Sequence, residues 1–245
     1  MNNKMIYADT FHLTTGDFDQ YLRLKPYTIF NFFQEVAGIH AAQLKLGFDE
    51  MMQKNRAWIL LRSKYIILKQ PEPSSKVIVE TWPLPAHKVE YRREFRITDI
   101  NHNLLVKGTS TWCIVDVATK RISRDHLVFN GEYYLESNFD ENLEQLPNID
   151  LKQEMWISKH QVRASDIDRY QHMNNAKYSE IVFDALNLSA HEVIKQVQIN
   201  FINEVKLNET LEIYKTNIEN NYYIVGRVKE KVSFRAFIKT NIIES

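Results

Sequence analysis

The stretch Asp166-Ile167-Asp168-Arg169-Tyr170 stands ahead of an apolar helical segment, and Asp17-Phe18-Asp19-Gln20-Tyr21 stands ahead of another. The two stretches match as Asp-x-Asp-x-Tyr at a constant offset of 149 residues, and His12-Leu13 and Gln161-Val162 precede them at the same offset. One such match is weak. Its recurrence before the same kind of helix argues that one structural unit has been duplicated.

Reading outward from the first copy, Pro26 to Leu46 is predicted as a helix. Pro26 suits a first helical position and Gly47 the position just past the end. Ile29, Phe32, Phe33, Val36, Ala37, Ile39 and Leu44 spread over so wide an arc that the helix needs wrapping. Period-two patterns follow at Ala57–Leu68, Lys76–Trp82, Val89–Thr98 and Leu104–Val117. Residues 139–150 are polar and acidic and read as a linker. The second half repeats the order: a strand at Met155–Arg163, a helix over Asn174–Leu188, then strands at Val193–Phe201, Leu211–Tyr214, Tyr222–Lys229 and Val232–Ile238. An α+β chain of two modules is expected, 1–150 and 151–245. Each is a long apolar helix in the concave face of a curved antiparallel sheet, which together make a tandem, or double, hotdog.

Composition narrows the function. The chain has 245 residues, with 31 Lys+Arg against 31 Asp+Glu. A protein that holds nucleic acid by its phosphates shows a basic excess, so that class is disfavoured. The single cysteine, Cys113, excludes an internal disulfide framework, and no Cys/His cluster suggests zinc. Apolar runs such as Trp58-Ile59-Leu60-Leu61 fall far short of the ~20 residues that span a bilayer. Met1 to Tyr7 holds no apolar run of signal-peptide length. A cytoplasmic chain without metal or cofactor is expected.

The densest polar cluster runs on from the opening stretch as Asp168-Arg169-Tyr170-Gln171-His172-Met173-Asn174-Asn175-Ala176-Lys177-Tyr178. It lies between a strand and a helix, where loops present side chains to ligands. A plain structural reading exists, since Asp and Asn side chains also cap local backbone. Asn174 and Asn175 both suit helix N-cap positions.

This cluster resembles the signature of the acyl-acyl carrier protein (acyl-ACP) thioesterases of plants and bacteria, an Asp-x-Asn-x-His followed by a hydrophobe, Asn-Asn and Lys-Tyr. Further similarities run in order along the chain: Phe33-Gln34-Glu35-Val36-Ala37-Gly38-Ile39-His40-Ala41, Ala57-Trp58-Ile59-Leu60-Leu61-Arg62, Val79-Glu80-Thr81-Trp82-Pro83 and Thr111-Trp112-Cys113-Ile114-Val115-Asp116. The resemblance implies hydrolysis of fatty acyl-ACP, which ends chain elongation in fatty acid biosynthesis and releases the free acid. It implies Asp168, His172 and Glu204 as catalytic residues, with Tyr170, Asn174 and Asn175 on the substrate. Two departures stand out. Tyr170 occupies the family's Asn position, and Val205 stands where the plant enzymes have Cys, so no cysteine nucleophile acts there.

Thioester hydrolysis needs an activated water or nucleophile, a polariser for the carbonyl, and a group to orient them. Asp168 is expected as the central carboxylate, Glu204 as the water activator and His172 as the orienting partner. The start of the second helix is expected to face the oxyanion. In the first copy Arg23 stands at the offset of His172, so that module is expected to be non-catalytic and to shape the acyl pocket. Phe30, Phe32, Phe33 and Ile39 are its lining candidates. The acidic carrier would need a local basic patch, either Lys88, Arg92, Arg93 and Arg96 or Lys120, Arg121 and Arg124. Other readings remain open at this level. They are an acyl-CoA thioesterase, a dehydratase using His172 with Glu180 or Asp184, and a non-enzymatic acyl-binding protein. A homodimer is compatible with the fold.

Overall fold

The computed structural model describes residues 5–124, 132–148, 155–169, 171–218 and 221–243. Contacts group the chain into two compact units. The first comprises Met1–Thr15, Asn31–Ser63 and Leu68–Leu143; the second comprises Gly16–Phe30, Lys64–Ile67 and Glu144–Ser245.

The first copy runs β1 (Tyr7–His12), α1 (Pro26–Gln43), α2 (Phe48–Gln53), β2 (Arg56–Ile67), β3 (Lys76–Pro83), β4 (Tyr91–Asp99) and β5 (Leu104–Asp116). Its strands lie side by side in the order β1-β3-β4-β5-β2. The second copy runs β6 (Met155–Gln161), α3 (Asn175–Leu186), β7 (Glu192–Phe201), β8 (Thr210–Ile218), β9 (Asn221–Val228) and β10 (Lys231–Ile242). Its strands lie in the order β6-β8-β9-β10-β7. Matching β1 to β6, β2 to β7, and so on makes the two orders the same, the arrangement of a hotdog module. The short helix α2 was not expected; it is one and a half turns of Phe48–Gln53 that bury Met51 alone.

Alternation sorts each strand into an inner and an outer row. In the first unit the ring of Phe33 on α1 stacks on Phe95 of β4 at 4.2 Å, and Phe32 meets Phe11 of β1 at 4.4 Å. Val77 and Val79 of β3 and Ile97 of β4 are buried in the same interior. Of the four lining candidates on α1, Phe30, Phe32 and Phe33 are buried, whereas Ile39 is 38% exposed. In the second unit β9 passes so close to β10 that a Cβ at Gly226 would come within 2.1 Å of the Phe234 ring.

Alternation also splits the arginines of β4, and the first basic patch dissolves as a docking surface. Arg92 binds Glu94, Ser137 and the Phe139 carbonyl, while Arg96 binds Asn138 and Glu136. Both are spent holding residues 136–139 to the outer face. Arg93 points inward, where its guanidinium donates to His40 Nδ1 at 3.1 Å and to Thr81 Oγ1 at 3.2 Å. Cys113 is a buried small hydrophobe, and burial pushes its thiol up to about 11.

Arg93 carries only donors, so His40 Nδ1 is the acceptor and the ring is neutral. Burial, then the charge of Arg93, pushes His40 down to about 3. An unfolded His titrates near 6.5. Between those values the unfolded chain binds one more proton than the folded one. His40 therefore contributes stability that is full above ~6.5 and lost as pH falls towards 3, at ~1.4 kcal/mol per pH unit. His40→Gln keeps an acceptor for Arg93 and does not titrate. Urea melts from pH 7 to pH 4 are expected to show the wild type losing stability more steeply than this variant.

Candidate active site

The cluster singled out in the sequence folds into a tight, closed turn. A single 3-10 turn, Ala164–Asp166, leads in, and a bridge pairs Ile167 with Met173. Inside it, Asp168 N–H donates to the His172 carbonyl at 3.0 Å and Gln171 N–H to the Asp168 carbonyl at 3.0 Å. Closing so short a loop puts Gln171 at φ 64°, in the left-handed region. A residue other than glycine is strained there. Asn174 N–H then donates to the Asp166 carbonyl at 2.8 Å, and α3 begins.

The first copy repeats this construction bond for bond. A 3-10 turn spans Thr15–Asp17, and Phe18 bridges Leu24. Asp19 N–H donates to Arg23 C=O at 2.9 Å, Leu22 N–H to Asp19 C=O at 3.0 Å, and Lys25 N–H to Asp17 C=O at 2.9 Å. Leu22 sits at φ 58°. Every one of these positions is offset by 149 from its counterpart, so the duplication read from five letters extends to the backbone.

The side chains have diverged. In the second copy His172 Nε2 lies 2.8 Å from Glu204 Oε2, with their side chains 25% and 46% exposed. Glu204 comes from the loop that follows β7, and that loop is tied to the turn by Met173 N–H donating to the Val205 carbonyl at 3.0 Å. Asp168 is half-buried, and its charge reaches the hydroxyl of Tyr178 on α3. The structure thus brings His172 and Glu204 into contact and joins Asp168 to His172 through the turn's backbone. Asn174 is the N-cap of α3, its Oδ1 accepting from Ala176 N–H at 2.8 Å. Asn175 is the first helical residue and is half-buried. Tyr170 lies outside the described residues.

In the first copy the same two positions form an ion pair. Arg23 Nε lies 2.7 Å from Asp19 Oδ2, with side chains only 11% and 6% exposed. The Arg23 guanidinium also donates to the carbonyls of Ser189, at 2.8 Å, and Glu192. A site of matching backbone has become a clamp on the α3–β7 connection.

Asp166 is spent on structure. It accepts from Arg163 N–H and His160 Nε2, both at 2.9 Å. Burial favours its neutral form, but these donors outweigh burial and hold the carboxyl below its ordinary range. The roles of Tyr178 and Ser233, whose hydroxyls meet beside the Glu204 loop, were not assigned from the sequence. Tyr178 sits at a core-facing helical position, which hid its polar end, and nothing local marks Ser233. Among the described residues no three His, Cys, Asp or Glu side chains gather as a metal site would require.

The chain is similar to known proteins over most of its length. Residues 4–126 match the model of the acyl-ACP thioesterase N-terminal domain, and residues 149–241 match that of the acyl-ACP thioesterase C-terminal domain. A chloroplastic palmitoyl-acyl carrier protein thioesterase of Arabidopsis thaliana is 28% identical over 200 residues, 76% of this chain and 48% of its own length. A chloroplastic oleoyl-acyl carrier protein thioesterase 2 from the same plant is 23% identical over 210 residues, 78% of this chain and 57% of its own. The chain therefore spans about half the length of the curated relatives it matches. Among solved structures, an acyl-ACP thioesterase from Bacteroides thetaiotaomicron superposes with a TM-score of 0.85 at 19% identity, covering 97% of this chain and 98% of that one. A 12:0-ACP thioesterase from Umbellularia californica gives 0.82 at 18% identity, covering 98% of each chain. At these identities the likeness establishes the fold.

The clamp makes a prediction about stability. Arg23→Leu leaves the largely buried Asp19 carboxylate and two carbonyls without the guanidinium. Removing one partner of such a pair costs about 3 kcal/mol. Urea denaturation at neutral pH is expected to show a loss of that size; a loss under ~0.5 kcal/mol would mean that Arg23 clamps nothing.

Proposed function

Because this chain belongs to the acyl-ACP thioesterase family, we propose that it hydrolyses the thioester of fatty acyl-ACP, releasing a free fatty acid and the carrier's thiol. The observation that carries the proposal is the 2.8 Å pair of His172 and Glu204, set beside the Asp168 turn at the start of α3. Water is the nucleophile. Glu204 accepts a proton from it as its oxygen attacks the carbonyl carbon, and His172 orients Glu204 and shuttles that proton. Asp168 is the central carboxylate of the turn. The N–H groups that open α3 point their partial positive charge where the oxyanion forms. Collapse of the tetrahedral intermediate breaks the C–S bond, and the shuttled proton ends on the leaving sulfur. Val205 excludes a cysteine nucleophile at its position.

The division of labour follows the divergence between the copies. Residues 151–245 carry the chemistry. Residues 1–150 carry the acyl pocket between α1 and its sheet, and the clamped Asp19–Arg23 turn takes no part in turnover. The carrier is acidic, and Lys120, Arg121 and Arg124 offer it an exposed basic stretch. A reducing bacterial cytoplasm is the proposed location, supported by the single cysteine. No helix among the described residues is long and apolar enough to cross a membrane.

A hydrolysis panel of acyl-ACP and acyl-CoA of graded chain length tests this reading. Thiol release from acyl-ACP is expected to exceed release from the matching acyl-CoA. Asp168→Asn is expected to lower the acyl-ACP rate at least ~100-fold in a folded protein. Full activity in that variant would sink the assignment, and faster turnover of acyl-CoA would replace the carrier.

A further inference from the structure

Glu204 sits on an exposed loop, yet it meets His172 at hydrogen-bond distance. An exposed glutamate on a loop holds no fixed position by itself, since its side chain alone has several rotamers of similar energy. Something must fix the loop. The atoms that do so form a chain beginning and ending on the two residues that flank Glu204.

Tyr178 lies in the first turn and a half of α3 and is 3% exposed. Its ring is wedged edge-on between Phe201 and Phe234, with centroids 5.4 Å from each. Two aromatic neighbours leave the ring little freedom, so its hydroxyl is aimed. That hydroxyl bonds the backbone of Val205 and the side chain of Ser233. Ser233 is 2% exposed, and its Oγ donates to the Asn203 carbonyl at 2.6 Å.

Counting protons fixes the direction of every bond. Ser233 Oγ has one proton, which goes to Asn203. The Tyr178 hydroxyl must therefore donate to Ser233 Oγ, and Val205 N–H must donate to the Tyr178 oxygen. The chain runs from Val205 N–H through Tyr178 and Ser233 to the Asn203 carbonyl. It closes a ring around Glu204 without touching the carboxylate. It works only with a neutral phenol, and burial keeps Tyr178 up at about 12. The flanks are pinned further: the Ser233 carbonyl accepts from Ile202 N–H at 2.8 Å and Asn203 N–H at 3.0 Å, and Asn203 Nδ2 donates to the Val232 carbonyl at 2.7 Å.

We propose that Tyr178 and Ser233 are positioning residues that fix the backbone on both sides of Glu204 and so hold its carboxylate against His172. This role rests on the assignment of Glu204 as the water activator. It makes α3 serve the reaction twice, with its N-terminus at the oxyanion and its Tyr178 hydroxyl behind the base.

The test is a set of variants assayed on acyl-ACP. Tyr178→Phe keeps both ring packings and removes only the hydroxyl. It is expected to lower kcat about tenfold while KM stays within about twofold, because misplacing a base harms the transition state and leaves ground-state binding alone. Ser233→Ala breaks the same chain at its other hydroxyl and is expected to match it. The double variant is expected to be no worse than either single one by more than about twofold, since one chain is broken only once. In a Glu204→Gln background, Tyr178→Phe is expected to add nothing to the loss of residual activity. An equal further loss there, or a Tyr178→Phe enzyme with wild-type kcat, would overturn the positioning role while leaving Glu204 in place. A Glu204→Gln enzyme of wild-type activity would instead overturn the assignment of Glu204, and this inference with it. Should Tyr178→Phe fail to fold, Ser233→Ala alone in both backgrounds decides the matter.

Discussion

The site depends on one short backbone contact, the bond from Asp168 N–H to the His172 carbonyl at 3.0 Å. Five residues closed on themselves leave the chain almost no freedom. The closure forces Gln171 into the left-handed region and delivers Asp168 and His172 together to the start of α3. A looser loop would carry the same side chains without fixing their separation. Strain of this kind persists only where the surrounding structure over-determines it. Here the Ile167–Met173 bridge and the Met173 bond to Val205 supply that determination.

The first copy shows the same backbone holding a different pair of side chains. Its turn has the same bonds and the same left-handed residue, at Leu22. With Arg23 in place of a histidine, the aspartate is neutralised by a partner that does not release protons at neutral pH. The guanidinium then reaches two carbonyls and becomes a tether. One scaffold thus holds a buried Asp19–Arg23 ion pair in one copy and presents His172 to Glu204 in the other.

Much of this was legible in the sequence because its signals are local. The offset of 149, the apolar α1 and the period-two runs gave the element order, and the Asp-to-Tyr cluster marked the turn. The loop carrying Glu204 was reached only through family likeness, because a lone glutamate after a strand looks like any surface charge. Ser233 was invisible for a deeper reason. Its partners are 30 residues away in sequence at Asn203 and on the helix α3 at Tyr178, and no periodicity encodes such a meeting. Strand alternation turns Arg93 away from Arg92 and Arg96. It could not foretell that residues 136–139 would cover the outer pair. Ile39 is exposed because the apolar arc of α1 is wider than the face its sheet covers.

The two turns share a backbone, and the side chain at the position of Arg23 and His172 separates their proposed roles. His172→Arg gives the second copy the side chain of the first, and acyl-ACP hydrolysis with a thermal melt reads the outcome directly. A folded protein that has lost at least ~100-fold in turnover is the predicted result. Turnover within about twofold of wild type would contradict the account.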